Sequence, residues 1–430
     1  MRASELRVIL RGRDFRRLYA TRLTSQLTDG VFQVALAGWV FFSPERQASA
    51  GKAAAAFAIT LLPYSALGPF AGVFIDRWQR RQILVWAPIL RALMVLGVAA
   101  LVASGGDGAV FFLGVLLVLG VNRFFLAALS AALPHVVRRE HLVTANAFAV
   151  TSGTIIAFIG AGAGYLLRQV FGAGHDGTAL ILVCAAGLFL LAGLIATTLP
   201  RLLLGPHLEQ AAEQTREALG NVLHGLADGA RHIRDRPSAA LALGAISFHR
   251  FVYGVILIMT LLLCRNHFTT DADEGLTKFA IMLGVSGAGY FAAALITPLV
   301  VRRISKQAWI AGLLAGGAVS LLLLGMPFTE PFWAAGAFAL GVVSQGVKLC
   351  VDTILQESID DAYRGRVFAV YDMLFNATFA AAAAAAATWL PADGVSYPTL
   401  ALIVVAYALG AAAYRAASAR VTRPRSPIPS

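Results

Sequence analysis

The sequence sets ionisable and amide side chains inside stretches that are otherwise apolar. Arg22, Gln26 and Asp29 are spaced i, i+4 and i+7, so they share one face of a helix. Asn122 with Arg123, His249 with Arg250, and Gln345 with Lys348 and Asp352 form three further groups. At 1.5 Å per residue, Asp29 lies about 18 Å along its apolar run. Desolvation there favours the neutral acid, and a cationic neighbour favours the carboxylate. Such a group can bind or release a proton according to the side from which water reaches it, which is what coupling to proton flow requires. The alternative is a fixed structural pair between Asp29 and an arginine of a neighbouring helix.

Arg123 and Arg250 fall near the middle of their runs and must face a protein-lined or watery interior, because lipid offers no partner. Lys348 and Asp352 are i, i+4 and can pair with each other. Cavity lining and structural pairing stay open for each of these residues. Arg91 is shallower and is expected to snorkel toward the cytoplasmic interface. His249 either titrates near neutral pH or serves as a hydrogen-bonded packing residue.

The elements that must position these side chains follow from composition. Of 430 residues, 58% are hydrophobic and only 13% charged, about half the charge share of a soluble domain. The bilayer is the solvent that fits. A helix crosses its hydrocarbon core with about 20 apolar residues. Runs of that kind lie at 18–42, 53–74, 83–103, 110–133, 142–167 and 178–199, and then at 239–264, 278–301, 308–326, 332–355, 367–390 and 398–414. The expected fold is an all-α integral membrane protein of twelve transmembrane helices in two six-helix halves. Residues 1–17 form a cytoplasmic tail, 18–199 the first half, 200–237 a cytoplasmic linker, 238–414 the second half and 415–430 a second cytoplasmic tail.

Basic residues set the orientation. With the N-terminus inside, Lys and Arg in the inner segments outnumber those in the outer ones about five to one. Both termini are therefore expected to be cytoplasmic, in a multi-pass protein of the cell membrane. Within the linker, Leu219, Val222, Leu223, Leu226, Ala230 and Ile233 recur at helical spacing among charged residues, as in an amphipathic helix at the membrane surface. The alanine run 380–387 and Gly160, Gly162 and Gly164 make thin helix faces that neighbours can approach closely.

Several function classes are disfavoured. The net charge of +12 is broken into clusters between apolar runs, unlike the continuous basic surface of a nucleic-acid groove. There is no GxSxG elbow, P-loop, HExxH or CxxC, so neither enzyme chemistry nor an ATP-driven pump is indicated. Cys184, Cys264 and Cys350 lie in or beside apolar runs without metal spacing. No metal or cofactor site is expected. The basic N-terminus leads into a full-length span, and no removable signal peptide is read there.

The string Gly72-Val-Phe-Ile-Asp76-Arg77-Trp78-Gln79-Arg80-Arg81 resembles the signature loop of the major facilitator superfamily. Residues 132–146 and 356–367 are similar to strings of its macrolide-efflux and enterobactin-exporter type of branch. The resemblance implies a cytoplasmic latch. In it Asp76 sits at the N-terminus of the eleventh helix, where amide donors favour an anion. Arg77, Arg80 and Arg81 join acidic groups in a charge network, with Gly72, Arg364 and Arg366 nearby. Gln79 stands where many members have Gly, the fifth span lacks the Gly-Pro pair of the antiporter signature, and the loop at 302–306 has no Asp. The resemblance also implies a cavity lined by the first, fourth, seventh and tenth spans. Arg22, Gln26, Asn122, Arg123, His249, Arg250, Gln345 and Lys348 are its candidate lining, and Asp29 is the candidate proton-coupling residue.

The expected function is secondary active transport by alternating access. The expected form is a monomer that exports a moderately hydrophobic small molecule against proton flow. Proton-coupled uptake of a metabolite, and a non-transporting sensor or scaffold on the same fold, are the alternatives.

Overall fold

The structure is a computed structural model, and it describes residues 8–42, 51, 79–106, 108–138, 141–200, 203–204 and 215–421. Among them the principal helices in the N-terminal part are α1 (Arg13–Phe41), α2 (Arg80–Ala103), α3 (Ala109–Ala132), α4 (Leu142–Phe171), α5 (His175–Thr197) and α6 (Thr215–Arg234). After them come α7 (Pro237–Asn266), α8 (Ala272–Val300), α9 (Lys306–Ser320), α10 (Glu330–Ser358), α11 (Asp361–Trp389) and α12 (Tyr397–Val421). No strand occurs among the described residues.

Ten of these helical stretches are long and apolar enough to cross a membrane. α1 is a further case. Its 29 residues would reach about 43 Å, but Arg22, Gln26, Asp29 and several hydroxyl residues keep it more polar than the ten. The expected second span, 53–74, lies outside the described residues. Large apolar side chains such as Trp86, Phe158, Leu166, Phe291 and Leu402 are more than 60% exposed. In water that surface would be an aggregation site, whereas lipid covers it at no cost.

Local signals explain the helix starts. Asp271 caps α8 by accepting from the amides of Asp273 and Glu274 at 3.0 and 2.8 Å, which satisfies donors that a first turn leaves open. Ser305 does the same for α9 through Ala308 N at 3.2 Å. Pro237 and Pro331 occupy first-turn positions of α7 and α10, where no amide donor is needed. α9 ends in a π-helical stretch, Leu321–Gly325.

The chain divides into two compact units. The first holds α1 to α5, the second α7 to α12, and α6 crosses the division between Val222 and Leu223. In the first unit α1 packs on α4 and α5, and α2 on α5 and α3. In the second, α7 packs on α11, α10, α8 and α12, α9 on α12 and α10, and α8 on α10.

Glycines permit the tightest crossings. A Cβ on Gly30 of α1 would run into the Ala157 carbonyl of α4, and one on Gly160 into the Leu27 carbonyl of α1. Gly289 and Gly341 make the same mutual approach between α8 and α10. Gly162 faces open space, so only part of the glycine set in the fifth span serves packing. In the alanine run, Ala382, Ala383 and Ala386 are fully buried, and a Cβ on Gly254 of α7 would come within 2.7 Å of Ala382 Cβ.

Among the described side chains of α6 (224–234), Gly229 and Ile233 are buried, while Ala230, expected on the apolar face, is exposed. The reason is a neighbour: Gly229 lies against Arg366 of α11, close enough that a Cβ there would sit 3.1 Å from it. Part of the face expected to meet lipid headgroups therefore packs on protein.

Candidate functional site

The polar residues at membrane depth gather into two clusters, one in each unit. The first is built on Arg91. α2 begins at Arg80, so Arg91 is carried about 16 Å along the helix, deep enough to meet the face of α1 that holds Asp29. Arg91 is fully buried, not snorkelling as the sequence led us to expect. Its Nη2 donates to Asp29 Oδ1. Its Nη1 donates to Asn122 Oδ1 of α3 at 2.9 Å and lies 3.4 Å from Ser25 Oγ of α1. The guanidinium plane rests on the Phe189 ring of α5 at 3.9 Å. One cation on α2 thus meets three other helices, and Asp29 is itself only 7% exposed.

Arg22, one turn before Gln26, donates through Nε to Gln26 Oε1 at 3.1 Å, and both side chains are half-buried. Gln26 in turn lies over Gly153 of α4, where a Cβ would collide with its amide. Arg123 is half-buried beside the buried Asn122. Asp29 and Asn122 therefore join one network, and Arg22 with Gln26 forms a separate pair on the same helix as Asp29.

The second cluster is built on α7. His249 is fully buried, and its Nδ1 lies 2.9 Å from the Tyr407 hydroxyl of α12. Its Nε2 has no hydrogen-bond partner. Arg250, about 20 Å along α7, lays its guanidinium on Phe375 at 3.9 Å and on Phe379 at 4.6 Å, both from α11. Stacking of this kind contributes about 2 kcal/mol where the cation is desolvated. The hydroxyls nearby belong to Tyr253, Tyr290 and Tyr371. Tyr253 faces Ser286 of α8 at 3.4 Å, and Tyr290 faces Ser344 of α10 at 2.9 Å. Lys348 pairs with Asp352 at 2.6 Å, the i, i+4 pairing anticipated from the spacing. Gln345 is half-buried on the same helix.

The latch residues are only partly within view. Gly72, Asp76 and Arg77, and the side chain of Arg364, lie outside the described residues. Among the described residues the partners of Arg81 are carbonyls, not acidic groups. Its Nε donates to the Leu199 carbonyl at 2.6 Å and its Nη2 to the Thr197 carbonyl at 2.9 Å, so it closes the C-terminal end of α5. Arg80 reaches the His135 ring at 3.2 Å and the Leu204 carbonyl at 3.2 Å. Arg366 lies 3.8 Å from Asp228 of α6 and over the Tyr363 ring.

Arg91, Ser25, Phe189 and the three tyrosines were not among the residues singled out from the sequence as site candidates. An arginine inside the apolar run, ten positions past the Arg80–Arg81 pair, was the available signal for Arg91. For Tyr253 it was the i, i+3 spacing from Arg250.

Comparison with known proteins agrees with this architecture. The family model of the major facilitator superfamily matches residues 19–385. An MFS-type transporter of Mycobacterium tuberculosis is 39% identical over 381 residues, covering 89% of this chain and 86% of its own. Macrolide efflux protein A of Streptococcus pyogenes is 22% identical over 372 residues, covering 83% and 84%. Among solved structures, the nucleoside transporter NupG superposes with a TM-score of 0.65 at 13% identity, over 94% of this chain and 98% of its own. A bacterial homologue of the human lysosomal transporter Spinster, inward-facing and unoccupied, gives 0.63 at 14% identity over 98% of each chain. The chain therefore belongs to the major facilitator superfamily, and it is a multi-pass membrane transporter, not an enzyme.

Proposed function

We propose that this transporter is a proton-driven exporter of moderately hydrophobic small molecules that works by alternating access. The observation that carries the reading is the Asp29–Arg91 pair, one carboxylate and one guanidinium buried together between α1 and α2. At membrane depth an ion pair of this kind has two discrete arrangements. With Asp29 ionised, the pair is closed. With Asp29 protonated, Arg91 loses its counter-charge, and breaking a buried pair this way costs about 3–5 kcal/mol. That difference is large enough to bias a transporter between two global states. The proton is thereby read as a change in helix contacts, since Arg91 also holds Asn122 and Ser25.

Export as the direction is supported by the similarity to macrolide efflux protein A. A cell-membrane location with both termini cytoplasmic is supported by the excess of basic residues in alternate loops. The competing role for Asp29 is a permanent structural clasp, and the pairing with Arg91 is equally what that role needs. Transport separates the two, because a clasp stabilises the fold without making flux depend on a proton gradient.

The test uses cells loaded with fluorescent amphiphiles, compared with cells lacking the protein. Faster loss of dye that a protonophore abolishes is the expected result. Faster entry of dye would establish uptake in place of export. Loss unaffected by the protonophore would overturn proton coupling.

A further inference from the structure

The second cluster holds a cation that its surroundings do not neutralise. Arg91 and Lys348 each face a carboxylate, Asp29 and Asp352. No carboxylate pairs with Arg250 among the described residues, and its Nε is buried without a hydrogen-bond partner. Its support is aromatic, the faces of Phe375 and Phe379, and its neighbours Tyr253, Tyr290 and Tyr371 are neutral phenols. A guanidinium at this depth is costly unless a partner of opposite charge reaches it. Arg250 is only half-buried, so an incoming group can do so.

From this arrangement we infer that Arg250 is the receptor for an anionic group on the transported molecule, and that the cargo is an organic monoanion, a carboxylate on an apolar body. One unmatched positive charge neutralises one negative charge. A dianion would carry an uncompensated charge into the membrane, because Lys348 is already bound to Asp352 at 2.6 Å. Two of the three phenols are engaged with Ser286 and Ser344. The Tyr371 hydroxyl is buried beside the Asp352 carboxylate without a well-formed hydrogen bond, and it supplies a further donor to the cargo's carboxylate. Phe375 and Phe379 hold the guanidinium by stacking, and a stacked guanidinium can still offer its edge for planar, two-point recognition of a carboxylate. The inference takes its cargo from the exporter reading above and narrows the cargo's class.

The test uses the full chain in lipid nanodiscs with two probes, 11-(dansylamino)undecanoic acid and its methyl ester. Binding is read as energy transfer from tryptophan to the dansyl group. The acid should bind about 10- to 100-fold more tightly than the ester, the range of a charge-assisted contact. Arg250→Gln should weaken the acid to the level of the ester and leave the ester unchanged, and Arg250→Lys should keep part of the difference. Tyr371→Phe, which retains the cation, should weaken only the acid, by about 3- to 10-fold. It carries the test should Arg250→Gln not fold. Equal binding of acid and ester, absence of saturable acid binding, or equal weakening of both probes by Arg250→Gln would each overturn the inference. Protonophore-sensitive export of acid and ester at equal rates would sink the anion preference and leave the exporter standing. Acid-selective binding without any export would do the reverse.

Discussion

The Arg91 guanidinium of α2 donates to the Asp29 carboxylate of α1, and through its other terminal nitrogen to the Asn122 amide of α3. A single buried cation therefore ties together helices that start 67 residues apart in sequence (Arg13 and Arg80). Removing either partner strands a charge in a low-dielectric surrounding. Arg91→Ala should cost about 3–5 kcal/mol, and Asp29→Ala a similar amount. The double variant Asp29→Ala/Arg91→Ala should cost much less than the two single losses added together. Thermal unfolding of the purified protein in detergent reads this directly. Strictly additive losses would mean that the two residues do not depend on each other.

Backbone proximity gives a sharper test at the crossing of α1 and α4. Gly30→Ala and Gly160→Ala each push a methyl group into a main-chain carbonyl of the facing helix. Each should lower the unfolding midpoint and the yield of membrane-inserted protein. Gly162→Ala, two residues away with open space around it, should be neutral or stabilising by about 0.5–1 kcal/mol, the usual gain in a helix. If Gly160→Ala and Gly162→Ala behaved alike, the close approach would be wrong.

In the second unit the buried Trp333 indole donates to Thr260 Oγ1 at 2.9 Å. Thr260→Val keeps the shape and removes the acceptor. It should cost about 1–3 kcal/mol, because the indole N–H is left unsatisfied away from water. Thr260→Ser should restore most of the loss. The Trp333 ring is stacked on Phe328 at 5.3 Å, so a change in tryptophan fluorescence should accompany the valine variant and not the serine one.

Length and hydropathy made the helices legible, because a span needs about 20 apolar residues and few other structures produce such runs. The seventh run, expected at 239–264, is α7, Pro237–Asn266, with Pro237 marking its start. The single face of Arg22, Gln26 and Asp29 was equally readable, since helical spacing fixes it. Lys348 with Asp352 could be read for the same reason. Arg91 could not, because its partner lies on another helix and its depth depends on where α2 begins. Starting three residues earlier than the apolar run implied, at Arg80, moves Arg91 from the interface toward Asp29. Arg81 shows the converse limit. Its charge pointed to acidic partners, whereas the partners among the described residues are the open carbonyls at the end of α5. Helix ends are invisible to charge counting, and they compete for the same donors. The tyrosines around Arg250 come from three separate helices, and only packing brings them together.

The most direct measurement compares wild type with Asp29→Asn at matched membrane abundance. Cells are loaded with a fluorescent amphiphile, and its loss is followed with and without a protonophore. The expected result is protonophore-sensitive export in wild type that disappears in the variant while the protein remains folded in the membrane. Export that persists in Asp29→Asn, with the same sensitivity to the protonophore, would contradict the role of Asp29 in proton coupling.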